Sequence, residues 1–321
     1  MAASEVEYSV EREIDEFFKR TSATHAACDS YVKEHLGGNV ISVVVQGVCS
    51  YTVYAGSKAE FVVQFRLKSL MLEMKTVTFK GPIGKDIDGK ESLYIYVMAR
   101  MEGISYLDFL LKHNGHVPEN SPTFSSWRKN LVTDIARFFA MSWKSPQNVD
   151  EISRERLLHQ YERELQLLLH SLPGRFHPFI RESLSSLRAI LSLPMVLLHK
   201  DFGVCNIMVD EASCNLVGVI DWAEAEIAPF GLNLHSHQRL ISKVHVKNGW
   251  IRYDDYILLE DIFWSTFREA TGGLSDETIR IIKSARVDDE SGGYNMRNLD
   301  GLLINPATRF TELDDYARLI D

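Results

Sequence analysis

Residues 196–222 read VLLHKDFGVCNIMVDEASCNLVGVIDW, and the order of residue types in this stretch decides the fold. The apolar run 195–198 has the length and branching of a short buried strand. His199, Lys200 and Asp201 follow it, and Asn206 comes after four intervening residues. Two more strand-like runs, 207–209 and 216–220, flank a turn-rich link at 210–215. The second run ends on Asp221. A carboxylate, a carboxamide and a second carboxylate therefore fall near strand ends, with a hairpin between them. Taken singly, Asp201, Asn206 and Asp221 could each be a cap or a turn residue. As a set inside one hydrophobic frame they point to a site.

The set suits phosphoryl transfer. That reaction needs an orienter or base for the acceptor hydroxyl and oxygen ligands for a metal ion on the nucleotide phosphates. Mg²⁺ prefers oxygen and keeps part of its water, so one Asp and one Asn are a sufficient protein contribution. The H-x-D-x-x-x-x-N spacing, with an Asp after two strands, resembles the catalytic loop and metal loop of protein kinases. Here the metal-loop Asp is followed by Trp222 rather than Phe-Gly, within V-I-D-W-A-E-A. In this the chain looks like the aminoglycoside phosphotransferase and choline kinase branch of the kinase-like fold, and it is similar to fungal members, which implies a setting in secondary metabolism. The resemblance covers roughly residues 40–270 and is specific at HKDFGVCN and VIDW.

The resemblance implies an α+β, two-lobe protein-kinase-like fold. A small N-terminal antiparallel β-rich lobe would span 1–100, on the nucleotide side. A larger, mainly helical C-terminal lobe would span 101–321 and carry the catalytic loop, the metal Asp and the substrate site. Asp201 would be the catalytic base or orienter, and Asn206 and Asp221 would hold Mg²⁺. ATP would donate its γ-phosphoryl group to a hydroxyl of a small metabolite. Lys200, inside the loop, would help neutralise developing charge or else point into solvent.

Composition agrees with a globular enzyme. The chain has 321 residues, 45% hydrophobic and 25% charged, enough for one large domain or two lobes. A net charge of −9 argues against a nucleic-acid partner. Cys28, Cys49, Cys205 and Cys214 have no metal-site spacing. The opening MAASEVEYSVERE lacks the basic and apolar regions of a signal peptide, and no apolar run approaches membrane-spanning length. A cytoplasmic protein with free thiols, a small-molecule substrate and no membrane partner is expected.

N-terminally, 5–20 reads as an amphipathic helix and 26–34 as a second one; 40–45, 51–54 and 61–65 read as strands. The link at 46–50 offers Gly47 and Ser50 as a phosphate-covering turn, although with one glycine it is also an ordinary hairpin turn. The third strand, FVVQFR, has no lysine where the resemblance wants a phosphate-pairing cation. Gln64 and Arg66 share one face of it, and Arg66 is the candidate because it carries the charge. Glu73 is its candidate acidic partner. Residues 93–98 read as a strand leading to a hinge at Val97, Met98, Ala99 and Arg100. By resemblance the adenine ring would meet backbone groups there. Ser105 should cap a helix over 105–111.

Helices are expected over 127–143, 152–172 and 178–191, with a loop at 115–125. Residues 229–231 should make a tight turn. His235 and His237 should be partly exposed helix-start residues or line a cleft. Residues 251–270 read as an acidic, aromatic helix, with Asp254, Asp255, Glu260 and Asp261 beside Tyr253, Phe263 and Trp264. It is a candidate substrate surface or else a solvated face. Residues 284–298 should be a mobile loop and the tail from 308 a last helix.

Two other functions stay open at this level. The weak glycine turn and the missing strand lysine both lie on the nucleotide side. A kinase-like fold turned to nucleotide-independent acid–base chemistry, such as a cyclisation using Asp201 or Asp221, fits them. A non-catalytic binding protein fits less well, because a scaffold has no need of the complete polar set.

Overall fold

Side-chain alternation builds the first sheet. The computed structural model describes residues 8–47, 49–72, 78–245, 249–285, 299–310 and 313; for 78–81, 244–245 and 249 it describes the backbone alone. The chain divides into two units, Met1–Glu102 and Gly103–Asp321.

The first unit begins with helices α1 (Val10–Lys19) and α2 (His25–Leu36), capped by the Ser9 and Thr24 hydroxyls. Strands β1 (Ile41–Ser42), β2 (Ser50–Ala55), β3 (Phe61–Leu67), β4 (Thr78–Ile83) and β5 (Leu93–Ala99) form an antiparallel sheet in the order β1-β2-β3-β5-β4. Tyr51, Val53, Val63, Phe65, Leu67, Leu93 and Ile95 share one core with Ile14, Phe17, Cys28 and Val32 of the two helices. Strand register places Ser50 opposite Arg66 and Arg66 opposite Tyr94, with Thr52, Gln64 and Tyr96 in the next row. These residues alternate with the core positions and make the other face polar. Gln64 and Arg66 share that face, as the period of two requires.

The strand expected over 40–45 is shorter than its composition suggests. Pairing covers Ile41–Ser42, and Val44 and Val45 are 81% and 70% exposed. The Gln46 side chain replaces the missing strand. Its Nε2 donates to the Thr52 carbonyl at 2.8 Å, and its Oε1 accepts from the Thr52 N–H at 2.9 Å. A buried amide thus satisfies the backbone of β2 as a neighbouring strand would.

The second unit starts with β6 (Ile104–Ser105) and the helices α3 (Tyr106–His113), α4 (Pro122–Trp143), α5 (Glu151–Ser171) and α6 (His177–Leu191). Ser105 caps α3 as expected. Helix α4 begins inside the segment expected to be a loop, because the Ser121 hydroxyl caps it and Pro122 fits its first turn. Strand β7 (Met195–Leu198) precedes the catalytic loop. Strands β8 (Ile207–Val209) and β9 (Leu216–Val219) form the hairpin after it, and β6 joins them in the order β6-β8-β9. Strand β10 (Glu226–Pro229) returns antiparallel to β7. Then follow α7 (His235–Leu240), the β11 (Ser242–His245) and β12 (Gly249–Arg252) hairpin, α8 (Tyr256–Thr271), α9 (Asp276–Ala285) and a last helical turn at Asp300–Ile304.

The core of this unit lies between α4, α8 and the strand ends. Phe139 meets Phe263 edge-on at 6.2 Å, and Phe230 stacks on Phe267 at 5.5 Å. Part of the segment expected to be helical, 251–252, pairs in β12 instead, so α8 starts at Tyr256. Residues 284 and 285 end α9, and the rest of the 284–298 segment lies outside the described residues, as does most of the tail from 311. Both units together give the α+β class expected: an antiparallel sheet with two helices in one, a mainly helical body in the other.

Gly103 shows how closely the hairpin is held. Its φ is +92°, and an added Cβ would lie 2.4 Å from the Val209 carbonyl oxygen. Gly47 needs no such freedom, since a Cβ there meets nothing within 4 Å. Gly103→Ala is expected to cost about 1–3 kcal/mol, lowering the urea midpoint followed by tryptophan fluorescence, whereas Gly47→Ala leaves it unchanged.

Candidate active site

The catalytic loop joins β7 to β8, and its shape is set by four short-range bonds. The N–H groups of Asn206 and Ile207 both donate to the Gly203 carbonyl, at 2.9 and 3.1 Å. The Asn206 Nδ2 donates to the Asp201 backbone carbonyl at 2.9 Å and to Asp201 Oδ2 at 3.0 Å. Asn206 is 9% exposed, while the Asp201 carboxylate is open to solvent. The H-x-D-x-x-x-x-N spacing therefore closes a turn in which the carboxamide fixes the carboxylate. With both of these bonds on its nitrogen, Asn206 keeps Oδ1 as an oxygen ligand.

Asp221 enters through Ile220. The Ile220 N–H donates to the Asn206 carbonyl at 2.9 Å, and the Ile220 carbonyl accepts from His199 Nε2 at 2.7 Å. Both backbone groups of Ile220 are thus held by the catalytic loop. Asp221 follows with φ +60°, in the left-handed region that Asp tolerates better than most residues. Its carboxylate is exposed. The Trp222 indole N–H donates to the Val219 carbonyl at 2.9 Å, fixing the far side of the turn. His199 is 2% exposed and meets the Phe202 and Trp222 rings edge-on. It is a positioning residue that the motif displays but to which sequence reading gives no role.

Asn206 Oδ1 and the Asp221 carboxylate are hard oxygen donors, as Mg²⁺ requires. Among the described residues no group of three or more His, Cys, Asp or Glu gathers as a metal site. An ion held by Asn206 and Asp221 would draw its other ligands from phosphate and water. Lys200 pairs with Glu226 at 3.2 Å on the surface.

The remaining candidates belong to the first unit. Gly47 is exposed. Ser50 is buried, its hydroxyl 3.1 Å from that of Thr52. Arg66 is 7% exposed, and its Nε donates to the Leu70 carbonyl at 2.8 Å, which anchors the guanidinium on the polar face of the sheet. Its candidate partner Glu73 lies outside the described residues. Val97 packs on the core, while Met98 and Ala99 continue the β5 pairing with Val62 and Phe61. The Arg100 N–H donates to the Glu60 carbonyl at 2.7 Å, extending the ladder one residue beyond the strand.

The structure corrects the picture of His235 and His237, which are 5% and 0% exposed. His237 stacks on Phe263, and its Nε2 lies 3.6 Å from Glu260. Two acidic residues of the candidate substrate helix are likewise internal anchors. Asp255 receives Arg128 and the Ser125 hydroxyl, and Glu260 receives the Trp264 indole N–H. Asp254 and Asp261 are exposed.

Residues 82–239 match the family model described as the phosphotransferase enzyme family. This part of the chain is similar to that family. The match runs from the end of β4 through the catalytic loop to α7, so it includes Val97–Ala99, Asp201, Asn206 and Asp221 and leaves Gly47, Ser50 and Arg66 outside it. No curated protein matches the sequence. Among solved structures the chain is similar to a putative aminoglycoside phosphotransferase from Ralstonia eutropha JMP134, at 12% identity over 92% of this chain and 95% of that one, with a TM-score of 0.48. It is also similar to an aminoglycoside-3′-phosphotransferase of type VIII, at 13% identity, 86% and 99% coverage and a TM-score of 0.42. A third likeness is to a glucosamine kinase, at 11% identity, 81% and 71% coverage and a TM-score of 0.40.

Cys205 reports on this loop. Burial raises its thiol pKa, and the negative charges of Asp201 and then Asp108 raise it further. A raised pKa means less thiolate, and so slower alkylation, at a given pH. Asp201→Asn removes one of those charges. It is expected to speed iodoacetamide labelling of Cys205 at pH 8, followed by peptide mass spectrometry, and Asp108→Asn should act in the same direction.

Proposed function

We propose that the chain is a small-molecule phosphotransferase that moves the γ-phosphoryl group of ATP to a hydroxyl of a small metabolite. The observation that carries this reading is the double tie on Ile220, which joins the Asp201–Asn206 turn to the Asp221 turn. The match of residues 82–239 to the phosphotransferase family supports it. Mg²⁺ on the nucleotide would supply charge neutralisation at the phosphates. In the proposal Asn206 Oδ1 and the Asp221 carboxylate hold that ion, and Asp201 orients the acceptor hydroxyl and takes its proton. The Asn206 amide keeps the Asp201 carboxylate in one rotamer, so the acceptor meets a fixed oxygen rather than a mobile one.

On the nucleotide side, we assign Arg66 to phosphate contact, with Gly47 and Ser50 in the covering turn and Val97, Met98 and Ala99 beside the base. A guanidinium presents a planar fork where an ammonium would be a point charge, so it would hold phosphate differently from a lysine. No helix among the described residues is long and apolar enough to cross a membrane. The acceptor is read as a small molecule, and amino alcohols and amino sugars are the first compounds to try, a net charge of −9 being compatible with a cationic or a neutral substrate.

The test is ADP release with Mg-ATP across such a panel, with Asp201→Asn and Asp221→Ala alongside. Asp201→Asn is expected to lose roughly 10²–10⁴-fold in turnover while still binding Mg-nucleotide. Asp221→Ala is expected to lose metal-dependent nucleotide binding by calorimetry. Unchanged turnover in Asp201→Asn would overturn the assignment.

A further inference from the structure

Arg66 lies 7% exposed on the polar face of the first unit's sheet, and its Nε donates to the Leu70 carbonyl. Among the described residues, its anchor is thus a neutral backbone oxygen. A carbonyl fixes the direction of the guanidinium without cancelling its charge. With Nε taken, the two terminal nitrogens are the edge that can turn to an oxyanion. Such an anchor works only if the carbonyl itself is held still.

Leu70 ends a single 3₁₀ turn, Lys68–Leu70, that is fastened on both sides. Before the carbonyl, the Lys68 N–H donates to the Ser92 carbonyl at 3.2 Å. The Ser69 N–H and hydroxyl both donate to the Glu91 carboxylate, at 2.6 and 2.9 Å. Glu91 is fixed in turn, because its N–H donates to the Arg20 carbonyl at 3.0 Å and its own carbonyl accepts the Thr21 hydroxyl at 2.6 Å. After the carbonyl, the Leu72 N–H donates to the Tyr96 hydroxyl at 2.9 Å, and that hydroxyl is directed at the Leu72 carbonyl, 3.4 Å away. Tyr96 is 2% exposed and pairs with Gln64, in the row next to Arg66 and on the same face. Its phenol therefore pins the chain two residues past the anchoring carbonyl.

We propose that Tyr96 is a positioning residue for phosphate binding. Its hydroxyl holds residues 70–72 so that the Leu70 carbonyl keeps the terminal nitrogens of Arg66 in one orientation for a nucleotide phosphate. The ligand in this proposal rests on the phosphotransferase reading above, while the positioning rests on the sheet alone. Removing the hydroxyl leaves the Leu72 N–H without its acceptor, so the carbonyl end of the turn gains freedom and the guanidinium gains it too. Arg66 stays present and charged. Phosphate binding weakens because the fork must then be ordered on binding. An interaction made equally with bound nucleotide and with the transition state changes KM and leaves kcat alone.

Tyr96→Phe keeps the ring and removes the hydroxyl. Tyr51→Phe is the control, since that hydroxyl bonds Asp29 and His25 and its ring sits in the core on the opposite face of the sheet. In protein labelled with ¹⁵N-arginine, the Arg66 Nε–H resonance is identified by its loss in Arg66→Lys, and its exchange with water is measured without nucleotide. Tyr96→Phe is expected to speed that exchange about 5–10-fold, and Tyr51→Phe to leave it unchanged. By calorimetry Tyr96→Phe is expected to weaken Mg-ATP binding about 3–10-fold. In the ADP-release assay it should raise KM for ATP by the same factor with kcat unchanged. Unchanged Arg66 exchange in Tyr96→Phe, equal acceleration in Tyr51→Phe, or faster exchange with Mg-ATP affinity at the wild-type value would each overturn the proposal. Wild-type protein that binds no Mg-ATP would overturn the phosphotransferase reading instead, and the exchange comparison would still decide whether Tyr96 positions Arg66.

Discussion

Both backbone groups of Ile220 are tied to the catalytic loop, and the candidate site depends on that pair of bonds. The N–H reaches the Asn206 carbonyl and the carbonyl receives the His199 imidazole. Each bond contributes about 1 kcal/mol net. Together they offset a left-handed Asp221, whose conformation costs roughly 1–2 kcal/mol for a residue other than glycine. The balance is close, which explains the further tie from the Trp222 indole to Val219. The His199 ring that supplies the second bond is itself held edge-on by Phe202 and Trp222.

Helix α4 is the platform beneath that tie. Trp127 Nε1 and Asn130 Nδ2 donate to the Ala212 and Ser213 carbonyls in the β8–β9 turn. Asp134 accepts from the Asn215 side chain and the Leu216 N–H at the start of β9. Three positions at helical spacing thus grip one hairpin and set where its second strand ends. The other side of α4 packs on α8 through Phe139 and Phe263, and Arg128 holds Asp255 there. A buried ion pair is weak evidence for stability in itself. Arg128 also donates to the Glu119 carbonyl and lies over the Tyr253 ring at 4.4 Å, so its charge is satisfied from several sides and fixes one register of α8 on α4.

The first unit solves a different problem. Its sheet turns one apolar face to α1 and α2 and leaves the other face polar. Strict alternation supplies both: Val63, Phe65 and Leu67 point one way, Gln64 and Arg66 the other. A buried arginine in such a face must be anchored, and the Leu70 carbonyl does this in a turn only four residues on. Gln46 performs the analogous task for the unpaired edge of β2.

The site in the second unit was legible because its residues are close in sequence. Asp201 and Asn206 are five apart, and spacing alone determines that they meet in one loop. The strand–loop–hairpin frame around them, the α+β order and the shared face of Gln64 and Arg66 are equally local, following from periods of two and 3.6. Tertiary structure decided everything that hangs on a distant partner. Asp255 looked like a substrate carboxylate until Arg128, 127 positions away, claimed it. His235 and His237 looked exposed because no local pattern records that Phe263 and Glu260 would cover His237. The role of His199 was hidden in the same way, since its partner Ile220 lies 21 residues on. A sequence fixes which groups are adjacent along the chain, while burial and hydrogen-bond pairing are set by which surfaces the folded chain brings together.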